Sequence, residues 1–199
     1  MKNILHILSS PRGEDSHSIR LANRIIEKIT DHYPGATVTT NNTVEKDYTH
    51  LTDLHLVGYR TPEEEQTEVI KETLYDSDEA VDQLAKADFI VISVPLYNFN
   101  IPSALKAWID HIVRAGKTFS YKTGKAEGLL KNKKVYLAIA SNGVYSNGDM
   151  KPFDFAEPYL RFILSFIGLT DITTYRIEGM GIPGFMETGV EKGLESVTL

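Results

Sequence analysis

The chain has 199 residues, of which 42% are hydrophobic, and it carries a formal net charge of −6 and no cysteine. This length most simply forms one domain, residues 1–199, while the acidic balance argues against nucleic-acid binding and the lack of cysteine excludes disulfides, thiolate metal sites and thiol nucleophiles. No apolar run approaches the roughly 18 residues of a membrane span, and the N-terminus lacks a signal-peptide pattern, so we expect a cytoplasmic protein without membrane association.

Apolar runs and helical patterns alternate along the chain. The apolar runs predict strands over 3–8, 36–43 at a sheet edge, 89–94 in a buried position, 134–140 and 171–177. The helical patterns predict helices through 22–29, from 62 to 84, over 105–112 and over 159–167, and a weakly patterned C-terminal helix. Residues 44–61, after the edge strand, are predicted to be irregular. Five strands that alternate with helices indicate an open, doubly wound α/β sheet. At this length we expect a flavodoxin-like three-layer sandwich, with a parallel sheet in the order 2-1-3-4-5 and helices on both faces.

Ligands of such sheets bind beyond the carboxyl ends of the strands, where the strand order reverses. The first loop at this edge is "SSPRGEDSHS", residues 9–18. The hydroxyls of Ser10, Ser16 and Ser18 and the unpaired N–H groups of the helix start suit a phosphate, and Arg12 is a further candidate contact. The loop matches neither the GxGxxG nor the P-loop pattern. The alternative is that Ser16 only caps the helix.

Two further loops reach the same edge. After the third strand, Tyr97, Asn98 and Phe99 offer two rings and an amide, which suits a planar heterocycle with polar edges; the alternative is that Phe99 packs in the core. After the fourth strand, Gly143 indicates a positive φ or a close approach to a ligand, with backbone N–H groups facing negative charge. Asn142-Gly143 is equally an ordinary turn dipeptide.

The connection over residues 115–133 is unusually long. Long loops of this kind are functional or disordered, and Phe119 and Tyr121 are candidates for a wall over a flat ligand. None of the six histidines has a metal-site spacing, and there is no GxSxG nucleophile motif. We therefore expect a cradle for a cofactor, with no metal and no catalytic side chain.

The loops together, in this order, resemble the FMN-dependent NADH-azoreductase family. The resemblance covers nearly the whole chain and is carried by "SSPRGEDSHS", "PLYNFNIPSALKAWID", "RAGKTFSY", "EGLL", "PYLRFILSFIGLTD" and "EGM". It implies a homodimer with one FMN per subunit, in which a second subunit helps to wall each site. It also implies that NADH or NADPH delivers hydride to flavin N5 and that quinones or azo compounds then take the electrons.

The resemblance also implies positions for the cofactor. The phosphate would contact Ser10, Ser16, His17 and Ser18. The isoalloxazine would lie against Leu96, Tyr97, Asn98 and Phe99, and its other edge would meet Ser141, Asn142, Gly143 and Val144. Many family members have a second glycine where this chain has Val144, which adds bulk to the loop.

Two other classes of flavoprotein remain open at this point. An electron-carrier flavodoxin shuttles single electrons between proteins, and the acidic charge fits it, whereas the 115–133 loop does not. A flavin-based sensor would bind the cofactor without turnover of a small substrate.

Overall fold

The computed structural model describes the backbone of residues 1–199 and every side chain except that of residue 187. The strands are β1 (Asn3–Leu8), β2 (Thr37–Asn42), β3 (Phe89–Pro95), β4 (Phe119–Ser120), β5 (Glu127–Gly128), β6 (Lys134–Ala140) and β7 (Asp171–Ile177). The helices are α1 (His17–His32), α2 (Thr43–Lys46), α3 (Asp53–Gly58), α4 (Glu68–Lys86), α5 (Ser103–Ile112), α6 (Ala156–Phe166) and α7 (Met186–Glu195). Every helix in this described chain is too short or too polar to span a bilayer.

Five of the strands form one parallel sheet in the order β2-β1-β3-β6-β7. With the small β4–β5 hairpin set aside, this is the predicted order 2-1-3-4-5, and the predicted flavodoxin-like fold is confirmed. The chain leaves β1 toward β2 on one side and later returns to β3 on the other. This reversal opens a crevice between the loops that follow β1 and β3.

The burial of the strands follows their place in the sheet. β3 and β6 are buried along almost their whole length, because helices cover both faces of the central strands. β2 has an edge position, as predicted, and its first four residues are exposed. The continuous apolar runs of the sequence therefore mark the middle of the sheet, and the alternating run marks its border.

Two apolar cores lie on the two faces of the sheet. On one face, α1 and α7 pack on the strands, and the predicted stripe of α1 is buried through Ala22, Ile25 and Ile29. On the other face, α4, α5 and α6 pack on the strands, and Trp108 of α5 is fully buried there. Side chains that alternate along a strand point to opposite faces, so consecutive residues of β3 serve different cores.

The segment over 44–61 is only partly irregular, which corrects the prediction. It contains α2 and α3, each shorter than two turns, so neither shows enough of a period to be recognised. Local side-chain bonds define their starts: Asn42 Oδ1 accepts from Val44 N at 3.2 Å, and His55 Nδ1 accepts from Thr52 N at 3.2 Å. The following helix, α4, begins at Glu68 instead of residue 62.

The long connection over 115–133 is also more ordered than predicted. β4 and β5 pair as an antiparallel hairpin, with Phe119 opposite Gly128. Leu130 N donates to Ile167 O at 3.0 Å, which ties the hairpin to the end of α6. A Cβ atom on Gly128 would collide with the backbone of Gly168, so the two segments touch main chain to main chain. The spacing of apolar residues in the sequence predicts neither glycine of this contact.

His6 is a buried histidine in the middle of β1. It is 5% exposed, and its Nε2 has no hydrogen-bond partner among the described residues. Burial lowers its pKa from 6.5 to about 4, so the imidazole is neutral in the folded protein near neutral pH. In the unfolded chain, His6 binds a proton below about pH 6.5, whereas in the folded chain it stays neutral until the pH is much lower.

We therefore expect the protein to lose stability as the pH falls from about 6.5 toward about 4. Between pH 7 and pH 5, this single group removes about 2 kcal/mol from the free energy of unfolding. Urea unfolding of the parent and of His6→Leu at the two pH values checks this. The variant keeps every other titrating group, so its loss should be smaller than that of the parent by the stated amount. Equal losses in the two proteins would show that His6 does not carry this pH dependence.

Candidate functional site

Two buried serines join the carboxyl ends of β1 and β3. Ser9 Oγ donates to Ser93 O at 2.6 Å, and Ser93 Oγ donates to Ile7 O at 3.1 Å. These bonds hold the two strand ends together at the point where the order of the sheet reverses. A cleft of about 790 Å³ opens beside this junction, and Ser9, Tyr97 and Asn98 are among its lining residues.

The loop before α1 gathers buried hydroxyls. Ser10, Ser16 and Ser18 are all buried, and the hydroxyls of Ser16 and Ser18 lie 3.0 Å apart. Ser16 occupies the N-cap position of α1, but its side chain makes no capping hydrogen bond. The structure therefore does not support the alternative that Ser16 only caps α1. Buried hydroxyls beside the unpaired N–H groups of a helix start are a suitable environment for an anion.

His17 adds a second feature to this loop. Its Nδ1 is buried and has no partner among the described residues. Burial, and then the nearby charges of Arg20 and Arg12, lower the pKa of His17. A neutral imidazole with an unused nitrogen, two neighbouring guanidinium groups and a helix start together suit a phosphate group. The serine loop, residues 9–18, is thus suited to the phosphate group of a mononucleotide.

The turn after β3 has an unusual backbone. Asn98 and Phe99 have φ values of 48° and 67°, and Tyr97 and Asn100 exchange two backbone hydrogen bonds of 3.0 Å. Positive φ at both central positions is typical of a type I′ turn. Asparagine tolerates this region, whereas a phenylalanine there costs about 1 kcal/mol or more. A strained aromatic residue in a turn whose Tyr97, Asn98 and Asn100 line the cleft points to a functional position.

The turn displays its rings instead of burying them. Tyr97 is 39% exposed and Phe99 is 46% exposed, so the core alternative for Phe99 is excluded. Leu96, just before the turn, is half-buried, and its N–H donates to Ala140 O at 2.8 Å. The predicted residues 96–99 therefore form one surface, anchored to the sheet at one end and open to a flat ligand at the other.

Of the two predicted reasons for Gly143, a positive φ or a close approach to a ligand, the structure contradicts the first. Its φ is not in the positive range. A Cβ atom at this position would lie 2.9 Å from Cε2 of Tyr145, so the glycine leaves room for that ring. The residue type was a sound signal of close approach, but the sequence does not show which neighbour approaches.

The carbonyl groups of Asn142 and Gly143 are used in hydrogen bonds within the chain. Gly143 O accepts from Ser141 Oγ at 2.8 Å and from Gly179 N at 3.2 Å, and Asn142 O accepts from Gly181 N at 2.9 Å. In the described part of the chain, no acceptor is found for the N–H groups of Asn142, Gly143 or Val144. Three consecutive unused donors suit the oxygen and nitrogen edge of a heterocycle that gains negative charge.

Residues that sequence reasoning did not single out connect the two loops. The Tyr145 and Phe153 rings lie against the ring of Phe99, with centroid distances of 6.2 and 6.3 Å. Glu178 Oε1 accepts from Tyr145 N at 2.8 Å. Glu178 belongs to the "EGM" segment that carried part of the resemblance, but nothing in the sequence assigned it a partner 33 residues away.

Phe119 and Tyr121 lie apart from the other predicted residues. Phe119 packs on Phe166 with a centroid distance of 4.7 Å, and Tyr121 meets Phe119 edge to face. Phe166 ends α6, which runs from the site toward the opposite edge of the sheet. The structure therefore does not form the expected aromatic wall within one chain.

Comparison with known proteins yields a consistent set of relatives. Residues 2–197 match the family described as Flavodoxin-like fold. A curated relative from Beijerinckia indica, named FMN-dependent NADH:quinone oxidoreductase, is 44% identical over 197 residues, which cover 99% of this chain and 98% of the relative. A relative of the same name from Rhizobium leguminosarum bv. trifolii is 40% identical over 100% of this chain and 96% of its own length.

Solved structures give the same result. An azoreductase from Bacillus anthracis str. Sterne has a TM-score of 0.89 and 29% identity, and the match covers 98% of this chain and 96% of that one. An FMN-dependent NADH-azoreductase from Bacillus anthracis str. Ames Ancestor, solved in complex with FMN, has a TM-score of 0.84 and 26% identity over 98% of this chain and 97% of that one.

Proposed function

Because this chain belongs to the flavodoxin-like family of FMN-dependent NADH:quinone oxidoreductases, we propose that it reduces quinones with electrons taken from NADH through a bound FMN. One observation carries the proposal: a buried serine loop suited to a phosphate and a strained aromatic turn suited to a flat ring follow neighbouring strands of one sheet. We extend the proposal to azo compounds, because two structural relatives are azoreductases. NADPH is the alternative donor.

In this proposal, each loop holds one part of FMN. The serine loop binds the phosphate through Ser10, Ser16, His17 and Ser18. The turn after β3 supports the isoalloxazine through Leu96, Tyr97, Asn98 and Phe99. The loop after β6 meets its polar edge through Ser141, Asn142, Gly143 and Val144. The buried hydroxyls, the unused nitrogen of His17 and the unused N–H groups of the third loop support this arrangement.

The chemistry that FMN supplies when bound is two-electron transfer in two half-reactions, first from NADH and then to the acceptor, in a ping-pong sequence. The chain itself orients and binds. Tyr97 and Phe99 present ring faces and edges to flat reactants, and the unused N–H groups of Gly143 and Val144 stabilise negative charge at the polar edge. We assign no side chain as acid, base or nucleophile, and no metal.

The proposal treats residues 1–199 as one cofactor-binding domain in the cytoplasm. It competes with two other classes of flavoprotein, an electron carrier and a sensor. The family relationship favours an enzyme, since the curated relatives are named as oxidoreductases of a small molecule.

Anaerobic mixing tests the proposed function directly. We expect the purified protein to bind FMN and to release FMN, not FAD, on denaturation. NADH should bleach the flavin absorbance without any partner protein, and a quinone should restore it within the same sample. A carrier or sensor should bind FMN without rapid bleaching by NADH. Protein that stays free of flavin after incubation with excess FMN would end the proposal.

The serine loop makes a separate prediction about the phosphate. The double variant Ser16→Ala/Ser18→Ala should bind FMN on the order of a hundredfold more weakly, because each hydrogen bond to a charged group contributes about 1.5 kcal/mol or more. Riboflavin, which lacks the phosphate, should bind parent and variant equally. Fluorescence titration with both ligands measures this. Ser165→Ala, an exposed serine of α6, is the control. Equal losses for both ligands would place the two serines elsewhere on the flavin.

We also propose that the active form is a homodimer. Phe99, Phe153 and Phe155 are about half exposed and adjoin one another at the turn after β3, which leaves an apolar patch for a second chain to cover. Phe119 and Tyr121 cannot line the cleft of their own chain, so they take the predicted role only at the site of the opposite subunit.

Light scattering should accordingly give the mass of two chains at micromolar concentration. Tyr121→Ala, which alters an exposed ring outside the cleft of its own chain, should lower kcat/KM for the quinone several-fold while leaving the affinity for FMN unchanged. A fully active monomer would contradict the dimer. A dimer in which Tyr121→Ala is silent would contradict the role given to this tyrosine.

A further inference from the structure

We propose that Arg176 is a positioning residue for the flavin turn, residues 97–100, because it holds the two loop segments that contact Phe99. We name these segments the Tyr145 arm, residues 143–146, and the Phe153 arm, residues 153–156. The inference rests on the proposed function, since it assigns a role at the same flavin site.

Arg176 lies near the end of β7 and is largely buried. Its Nη1 donates to Glu178 Oε1 at 3.1 Å, and its Nη2 donates to carboxylate oxygens of Asp154 and Glu157. One planar guanidinium thus joins three carboxylates: Asp154 and Glu157 at the start of α6, and Glu178 just after β7. Only the fork of an arginine has enough donors, in a fixed plane, for such a junction. Without it, three carboxylates would repel one another in a poorly solvated place.

The first carboxylate holds the Tyr145 arm. Glu178 Oε1 accepts from Tyr145 N at 2.8 Å and from Ser146 N at 3.0 Å. The ring of Tyr145 then meets Phe99 edge to face, and it also fills the space that Gly143 leaves open. Arg176 fixes the carboxylate, the carboxylate fixes two peptide groups, and the arm fixes one side of the Phe99 ring.

The second carboxylate holds the Phe153 arm. Asp154 Oδ1 accepts from Ala156 N at 3.0 Å, at the start of α6. On the two sides of this aspartate, Phe153 packs on the ring of Phe99 and Phe155 N donates to Phe99 O at 3.1 Å. The ring and the carbonyl of Phe99 are therefore also held through the segment around Asp154.

Phe99 needs this support because of its backbone. Its φ of 67° places a bulky residue in the left-handed region, which such residues avoid unless their surroundings fix them. The hydrogen bonds of the turn itself join only Tyr97 and Asn100. The contacts that reach Phe99 come from the two arms. We infer that the arms keep the turn in the shape that accepts a flavin.

The third carboxylate supplies a control. Glu157 Oε1 also accepts hydrogen bonds from Arg161 Nε at 2.7 Å and from Thr174 Oγ1 at 2.7 Å. Burial alone would raise the pKa of Glu157, but the hydrogen bonds from Arg176, Thr174 and Arg161 outweigh it and lower this pKa to about 2. Arg161 therefore belongs to the same charge cluster, but it has no bond to Asp154 or Glu178 among the described residues.

The test compares Arg176→Lys with Arg161→Lys. Each variant keeps the charge and removes the fork, but only the first loosens the arms. In the flavin-free protein, we expect the Asn100 and Phe155 amides to exchange with solvent at least tenfold faster in Arg176→Lys than in the parent. Arg161→Lys should leave both amides within twofold. FMN and riboflavin should both bind at least tenfold more weakly to Arg176→Lys, because the turn and not the phosphate loop is affected.

Glu178→Ala is a second, milder variant that releases the Tyr145 arm alone. It should bind both flavins more weakly, and it decides the question if Arg176→Lys does not fold. A folded Glu178→Ala with parental exchange at Asn100 and parental affinity for riboflavin would overturn the inference, as would an Arg176→Lys that behaves like Arg161→Lys. Amide exchange needs no flavin, so it tests the positioning role even if the parent fails to bind FMN and the proposed function falls.

Discussion

The constraint on which this structure depends is that parallel strands cannot be joined by tight turns. Each connection between consecutive strands of the parallel sheet has to cross a face of the sheet, and here α1, α4, α5 and α6 make those crossings. The same helices bury the central strands, so the connections that the topology requires also form the hydrophobic cores. Every strand of the parallel sheet then ends at the same edge, and the loops with polar and aromatic side chains follow these ends.

That edge is held by polar bonds in a buried setting. Ser9 and Ser93 join β1 to β3, and Arg176 joins β7 to the segments before α6. Between these two junctions, the backbone is under strain at Phe99 and lacks partners at the N–H groups after β6. The sheet can tolerate these local free-energy costs, because the surrounding hydrogen bonds fix the backbone conformation of the loops more strongly than the loops' own preferences do.

The sequence predicted the fold from patterns that depend on burial. The run over 89–94 is apolar on both faces because β3 is central, and residues 36–43 alternate because β2 is an edge. Segments that depend on other interactions were missed: α2 and α3 are too short to show a period, and the β4–β5 hairpin is held by main-chain contact at Gly128.

The same distinction holds at the site. Serines, aromatic residues and glycine after strands are local signals, so the three loops were found. Arg176 and Glu178 act on residues that lie 22 and 33 positions away, and a single arginine in "DITTYRI" carries no mark of its partners. The way in which Glu178 holds its loop also affects how the site can evolve. The carboxylate grips peptide N–H groups, so the bonds do not depend on which side chains stand at positions 145 and 146. Selection can therefore exchange the side chains of Val144 and Ser146 and reshape the pocket for new acceptors, while the bonds to Glu178 and the ring of Tyr145 keep the loop ordered.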